Sequence, residues 1–128
     1  MTQQVQNSNG FKGKIALITG GSKGIGYATA KKLSALGATV IITGRNVKDL
    51  ESSSTDITQA GSECFFYACE LGNLSEVENL IKNITEKFGY VDILVNNAAI
   101  SYPKEVVNVS SDEFDATMRV NLLAPIIL

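Results

Sequence analysis

The 128-residue chain is 45% hydrophobic and 19% charged, with 11 Lys and Arg, 13 Asp and Glu, and no histidine. This is ordinary globular composition at about one domain's length. A net charge of −2 supplies no basic face for nucleic acid or an anionic membrane, no apolar run is long enough to span a bilayer, and two cysteines without a histidine do not suit a zinc site.

Residues 1–10 are rich in Gln, Asn and Ser and are expected to form a flexible polar tail, neither signal peptide nor transit helix. With no targeting signal, the expected location is cytoplasmic. Residues 11–128 are the expected domain. Strand one is predicted over 14–19, an unbroken apolar run of the kind covered on both faces of a parallel sheet. A glycine-rich turn leads into a helix over 24–36, with Ile25, Ala28, Thr29, Leu33 and Leu36 on its inner side and Gly37 as its stop. The β-branched stretch 39–43 makes strand two. Helix two is predicted over 47–60, with Val47, Leu50, Ser54 and Ile57 at helical spacing. Strand three, 63–69, carries Cys64 and Cys69, expected on opposite faces and too far apart to bridge. Helix three, 75–88, has the stripe Val77, Leu80, Ile81, Ile84 and Phe88. Strand four is 92–95. A last helix starts near Ser110, where Ser110 and Glu113 match a capping box.

Strands alternating with helices imply a three-layer α/β fold with a parallel sheet and right-handed crossovers. The mononucleotide-binding half of a Rossmann-type doubly wound sheet has strand order 3-2-1-4, and an incomplete sheet of that order is the expectation. A flavodoxin-like order 2-1-3-4 is the alternative.

The turn reads Gly20-Gly21-Ser22-Lys23-Gly24-Ile25-Gly26. A strand, a tight glycine turn and a helix N-terminus with unpaired N–H groups make a cradle for phosphates. The glycine spacing is longer than G-x-G-x-x-G, and Lys23 precedes Gly24, which disfavours a Walker A loop. Gly20 is read as closing the strand, Gly24 as admitting phosphates, Gly26 as bringing the helix close to the sheet, and Gly21 as slack. A turn without a ligand is the bland alternative. At the end of strand two, an acid would select NAD and a cation NADP. Here Arg45 follows Gly44, with no acid before Asp49. Arg45, with Lys23 as a second cation, therefore points to NADP(H). The alternative is two solvated surface charges.

With Asn96-Asn97-Ala98-Ala99 after strand four, the chain from residue 14 onward resembles the short-chain dehydrogenase/reductase family, and its glycine turn with Arg45 is similar to the NADP-dependent tropinone-reductase-like and 3-oxoacyl-carrier-protein-reductase-like branches. The resemblance implies that Gly20, Ser22, Lys23, Gly24, Ile25 and Gly26 hold the pyrophosphate. It puts Glu70 and Leu71 near the adenine, Glu70 being one methylene longer than the family's usual Asp. It gives Asn97 and Ala98 a bracing and ribose-contacting role, with Ala99 where the family has Gly. Asn121 matches an asparagine that holds a water in a proton relay. Its apolar neighbours predict burial, and a local kink helped by Pro125 is expected there.

The implied activity is hydride transfer between NADP(H) and a small carbonyl or alcohol compound, with assembly as a homo-oligomer. The family's catalytic Ser and Tyr-x-x-x-Lys fall after a fifth strand. The 128 residues end before it, so the chain is expected to be a cofactor-binding half, with a non-catalytic dinucleotide-binding module as the alternative. Tyr27-x-x-x-Lys31 matches the pattern on the wrong element, the first helix. The apolar end, residues 122–128, predicts marginal stability or association.

Overall fold

The computed structural model describes residues 10–128. The tail expected over residues 1–10 lies almost wholly outside them. Chain order is β1 (Ile15–Thr19), α1 (Gly24–Ala35), β2 (Thr39–Gly44), α2 (Val47–Ala60), β3 (Cys64–Ala68), α3 (Leu74–Phe88) and β4 (Ile93–Val95). A 3-10 turn (Val106–Asn108) then precedes α4 (Ser111–Met118), a π-helical segment (Arg119–Leu123) and α5 (Ala124–Ile127).

The four strands form one parallel sheet in the order β3-β2-β1-β4, which excludes the flavodoxin-like alternative. Ile18 of β1 pairs in register with Ile42 of β2 and Val95 of β4. Side chains alternate across a strand, and each face builds its own core. Leu17 and Ile41 pack with Val77, Leu80 and Ile84 of α3 and with Val120 and Ala124. Ala16, Ile18, Val40 and Ile42 pack with Ala30 of α1 and with Leu50 and Ile57 of α2. Ile18, Ile41 and Ile42 are fully buried, and each contributes about 1.5–3 kcal/mol of transfer free energy. Cys69 joins the first core and Cys64 borders the second, so the free thiols lie on opposite faces as expected. Burial pushes Cys64 up to about 12 and Cys69 up to about 11, the latter helped by the negative charges of Glu76 and Glu70.

The helix starts follow local polar chemistry. Asn46 accepts from the Asp49 amide at 3.1 Å and Asn73 from the Glu76 amide at 3.3 Å. The predicted capping box is present, Ser110 and Glu113 each bonding the other's amide at 3.1 Å.

The inner face of α1 differs from the prediction. Its buried residues are Gly26, Ala30 and Ser34, while Ile25 and Ala28 are exposed. Small side chains let α1 lie close to the sheet, and the Ser34 hydroxyl is satisfied by the Ser62 carbonyl at 2.9 Å. On α2, Leu50, Ser54 and Ile57 are buried as predicted, but Val47 is exposed. Along the last helical stretch Val120 and Ala124 are buried, whereas Leu122, Leu123 and Ile126 are exposed. Among the described residues no helix is long and apolar enough to cross a membrane.

Candidate functional site

The carboxyl ends of all four strands open onto one cavity of about 680 Å³. Gly20 comes from the end of β1, Gly44, Arg45 and Asn46 from β2, Cys69, Glu70 and Leu71 from β3, and Asn97, Ala98, Ala99 and Ile100 from β4. Ser22, Lys23, Asp49 and Val120 complete the lining.

Its floor is a clasp between β1 and β4. The Thr19 hydroxyl accepts from the amides of Asn97 and Ala98, each at 3.0 Å. The Asn97 side-chain amide donates to the carbonyls of Thr19 and Gly20 at 3.1 and 3.2 Å. Asn97 thus braces the strand ends and fixes the Gly20 carbonyl. The turn is also tied to β2, with the Gly21 amide on the Thr43 carbonyl at 3.2 Å. Ser53 of α2 donates to the Ser22 carbonyl at 2.8 Å.

Within the turn, two glycines need a left-handed backbone, Gly20 at φ +64 and Gly24 at φ +56. They differ in surroundings. A Cβ on Gly20 would meet Asn97 Nδ2 at 2.9 Å, whereas one on Gly24 would meet nothing within 4 Å. Gly26 is a close approach. A Cβ there would lie 2.5 Å from Asn97 Nδ2 and closer still to the Gly20 carbonyl oxygen. Gly26 therefore lets α1 lie close to the sheet at the ends of β1 and β4, as expected. The slack expected of Gly21 is also corrected. A Cβ there would lie 2.5 Å from Ile42 Cγ2, so Gly21 is packed tightly against β2.

The first turn of α1 has no side-chain cap and no acidic residue, and its N-cap is Lys23. Among the described residues, no side-chain cap and no first-turn acid meets its amides and the positive end of its dipole. That is the donor set a phosphate takes, and the open space over Gly24 leaves room for one. A strand-end cavity of this volume, an uncapped helix and two cations in the lining fit a dinucleotide.

Both cations are paired. Lys23 Nζ lies 2.9 Å from Asp49 Oδ2, and an Arg45 guanidinium nitrogen lies 3.9 Å from Glu70 Oε2. Glu70 is held in turn by the Gly72 amide, which donates to its Oε1 at 3.3 Å.

Of the residues expected from the sequence, Gly20, Ser22, Lys23, Arg45, Glu70, Leu71, Asn97 and Ala98 line the cavity together. Gly24 and Ile25 open α1 beside it, with Ile25 exposed, and Gly26 lies beneath the turn. Asn121 does not line it, although its neighbour Val120 does. The burial expected for Asn121 is not observed: it is exposed. Its side-chain amide is nevertheless bonded at both ends, accepting from the Ile100 amide at 2.9 Å and donating to the Ile100 carbonyl at 2.8 Å. The loop at the cavity wall is pinned by this pair. The expected kink takes the form of the π segment, with Ala124 N–H donating to the Arg119 carbonyl. Pro125, four residues beyond Asn121, has no N–H to give the Asn121 carbonyl.

Sequence reasoning missed Asp49 as part of the site. Asn46 and Asp49 in N-cap spacing carried the signal, because that spacing turns the start of α2 toward the end of β2. Tyr27 and Lys31 meet Asp56 of α2, the tyrosine by a hydrogen bond and the lysine at 3.5 Å. Neither lines the cavity.

A parallel 3-2-1-4 sheet with its cavity at the strand ends defines a Rossmann-type α/β protein. Within that class, the family model described as short chain dehydrogenase matches residues 14–128, and the chain belongs to that family. It is 37% identical over 108 residues to Short-chain dehydrogenase/reductase 3 of Bos taurus, covering 84% of this chain and 36% of the relative. The tropinone reductase homolog of Datura stramonium is 32% identical over 115 residues, covering 89% of this chain and 43% of the relative. A metagenomic short-chain oxidoreductase solved in complex with NADP superposes with TM-score 0.88 at 36% identity, over 92% of this chain and 54% of that one. The L-sorbose reductase of Gluconobacter frateurii, solved with NADPH and L-sorbose, gives TM-score 0.89 at 25% identity, over 94% of this chain and 46% of that one. The chain thus spans about a third to a half of the length of these relatives.

Proposed function

We propose that residues 11–128 form the NADP(H)-binding part of an oxidoreductase that interconverts a small carbonyl compound and its alcohol. The observation that carries this reading is the uncapped, acid-free start of α1 beside open space at Gly24, on a cavity that Lys23 and Arg45 also line. The relatives solved with NADP and NADPH support it.

The amides of the turn, with Ser22, take the pyrophosphate. Arg45 takes the 2′-phosphate with its planar fork, and Lys23 adds a second positive charge. Leu71 and Val120 give the adenine an apolar wall, and Asn97 and Ala98 face the ribose of the nicotinamide half. The cofactor supplies the hydride, and the protein supplies binding, orientation and protons. Asn121 is assigned to the proton path. Its side chain bonds Ile100 at both ends, and its backbone carbonyl, which Pro125 leaves without an α-helical donor, is the group it offers a water.

For these 128 residues the property to measure is binding. Arg45→Asp is expected to weaken NADPH at least tenfold more than NADH by calorimetric titration, because the exchange replaces a charge-assisted partner of the 2′-phosphate with a like charge. Equal losses for both nucleotides would remove Arg45 from the 2′-phosphate site.

A further inference from the structure

We propose that Asp49 is a specificity-determining residue that acts against the 2′-phosphate by holding Lys23. The proposal rests on reading the cavity as an NADP(H) seat. A nucleotide with a 2′-phosphate must then take Lys23 from a carboxylate already in contact with it.

The geometry gives Asp49 the stronger position. It sits in the first turn of α2, where its own amide donates to Asn46 Oδ1 at 3.1 Å. A carboxylate there is also favoured by the helix dipole. Lys23 is on the turn before α1, its side chain 76% exposed against 35% for Asp49. The pair closes at 2.9 Å, and both residues line the cavity. Asp49 is thus the anchored partner and Lys23 the one that must move. The second cation is arranged alike but more loosely, with Arg45 at 3.9 Å from a Glu70 that Gly72 holds. Each positive charge on offer to a phosphate at this end already faces a fixed negative one.

Partly exposed ion pairs are weak and exchange readily. Asp49 therefore does not close the site. It lowers affinity for the 2′-phosphorylated nucleotide and leaves the other nearly untouched, which narrows the preference for NADP(H) over NAD(H).

The test uses the 128-residue chain with adenosine 2′,5′-bisphosphate and AMP as probes, two ligands that differ by the 2′-phosphate. Asp49→Asn preserves shape and removes the charge. It is expected to tighten the bisphosphate by about twofold to fivefold, the upper part of the range of one partly exposed charge pair, and to change AMP by less than about 1.5-fold. Asp49→Ser, also suited to a helix first turn, should act in the same direction if Asp49→Asn fails to fold. In a Lys23→Met background most of the gain should vanish.

No gain for the bisphosphate, an equal gain for AMP, or a gain that persists in full without Lys23 would each overturn the role of Asp49. The reading of the cavity would survive those results as long as the unmodified chain binds NADPH. If the folded, unmodified chain binds neither NADPH nor the bisphosphate, the NADP(H) reading itself falls, and this proposal with it.

Discussion

Replacing Gly24 and Gly26 by alanine, one at a time, separates two jobs that a glycine motif runs together. At Gly24 a methyl group meets nothing within 4 Å, and its only cost is the positive φ of +56, about 1–2 kcal/mol for a residue with a Cβ. At Gly26 the backbone is helical, so alanine gains about 1 kcal/mol of helix propensity. The new Cβ, however, is driven into the Gly20 carbonyl and to 2.5 Å from Asn97 Nδ2. Both groups are fixed by the Thr19–Asn97 clasp, so neither can yield cheaply. Overpacking of this kind costs about 1–3 kcal/mol, and forcing Asn97 aside gives up two further hydrogen bonds at about 1 kcal/mol each. The net expected loss for Gly26→Ala is about 2–4 kcal/mol, against about 1–2 for Gly24→Ala. Urea unfolding followed by circular dichroism reads both. NADPH titration then separates them again: Gly24→Ala loses nucleotide affinity out of proportion to its stability loss, because its methyl group occupies the space left for phosphate. A Gly26→Ala chain no less stable than Gly24→Ala would refute the close-approach argument. Unchanged NADPH affinity in Gly24→Ala would remove Gly24 from the seat.

Asn121→Ala deletes both bonds to Ile100 and is expected to cost about 1–2 kcal/mol, with faster hydrogen exchange at the Ile100 amide as the specific sign. Tyr27→Phe removes the bond to Asp56 and should leave NADPH affinity unchanged, since Tyr27 is off the cavity. The two thiols predict an alkaline weakness. Their folded values, about 12 for Cys64 and about 11 for Cys69, lie above the ordinary value of 9.0. The unfolded chain therefore loses protons first, so stability is full below pH 9 and falls as pH rises toward 11–12. Urea midpoints at pH 8 and pH 10.5 should differ less in a Cys64→Ala, Cys69→Ala double variant than in the unmodified chain.

The order of elements and the strand order could be read in the sequence because each strand is a short apolar run and most helices end at a glycine. The parallel alternation then leaves few topologies. The inner face of α1 could not. Leu33 packs against the core as expected, but the exposed Ile25 does not, and the fully buried positions are Gly26, Ala30 and Ser34, a choice that depends on how close the sheet lies. Gly21 looked like slack because its neighbour, Ile42, is distant in sequence and adjacent only across β2. The site was legible as separate pieces, the glycine turn, Arg45, Glu70 and Asn97. Pairing Lys23 with Asp49 required α1 and α2 to lie side by side. Asn121 was expected to be buried among apolar neighbours, but a helix turn sends neighbours to different sides, and its partner Ile100 lies in a loop without a local signature.

The most direct measurement of the central claim is an amide chemical-shift titration of the isotope-labelled chain with NADPH. The account predicts saturable shifts at residues 20–26, Arg45, Glu70 and Asn97, with smaller shifts at Arg45 and Lys23 when NADH replaces NADPH. A folded chain whose amides stay unmoved, or whose shifts fall away from the strand ends, would contradict it.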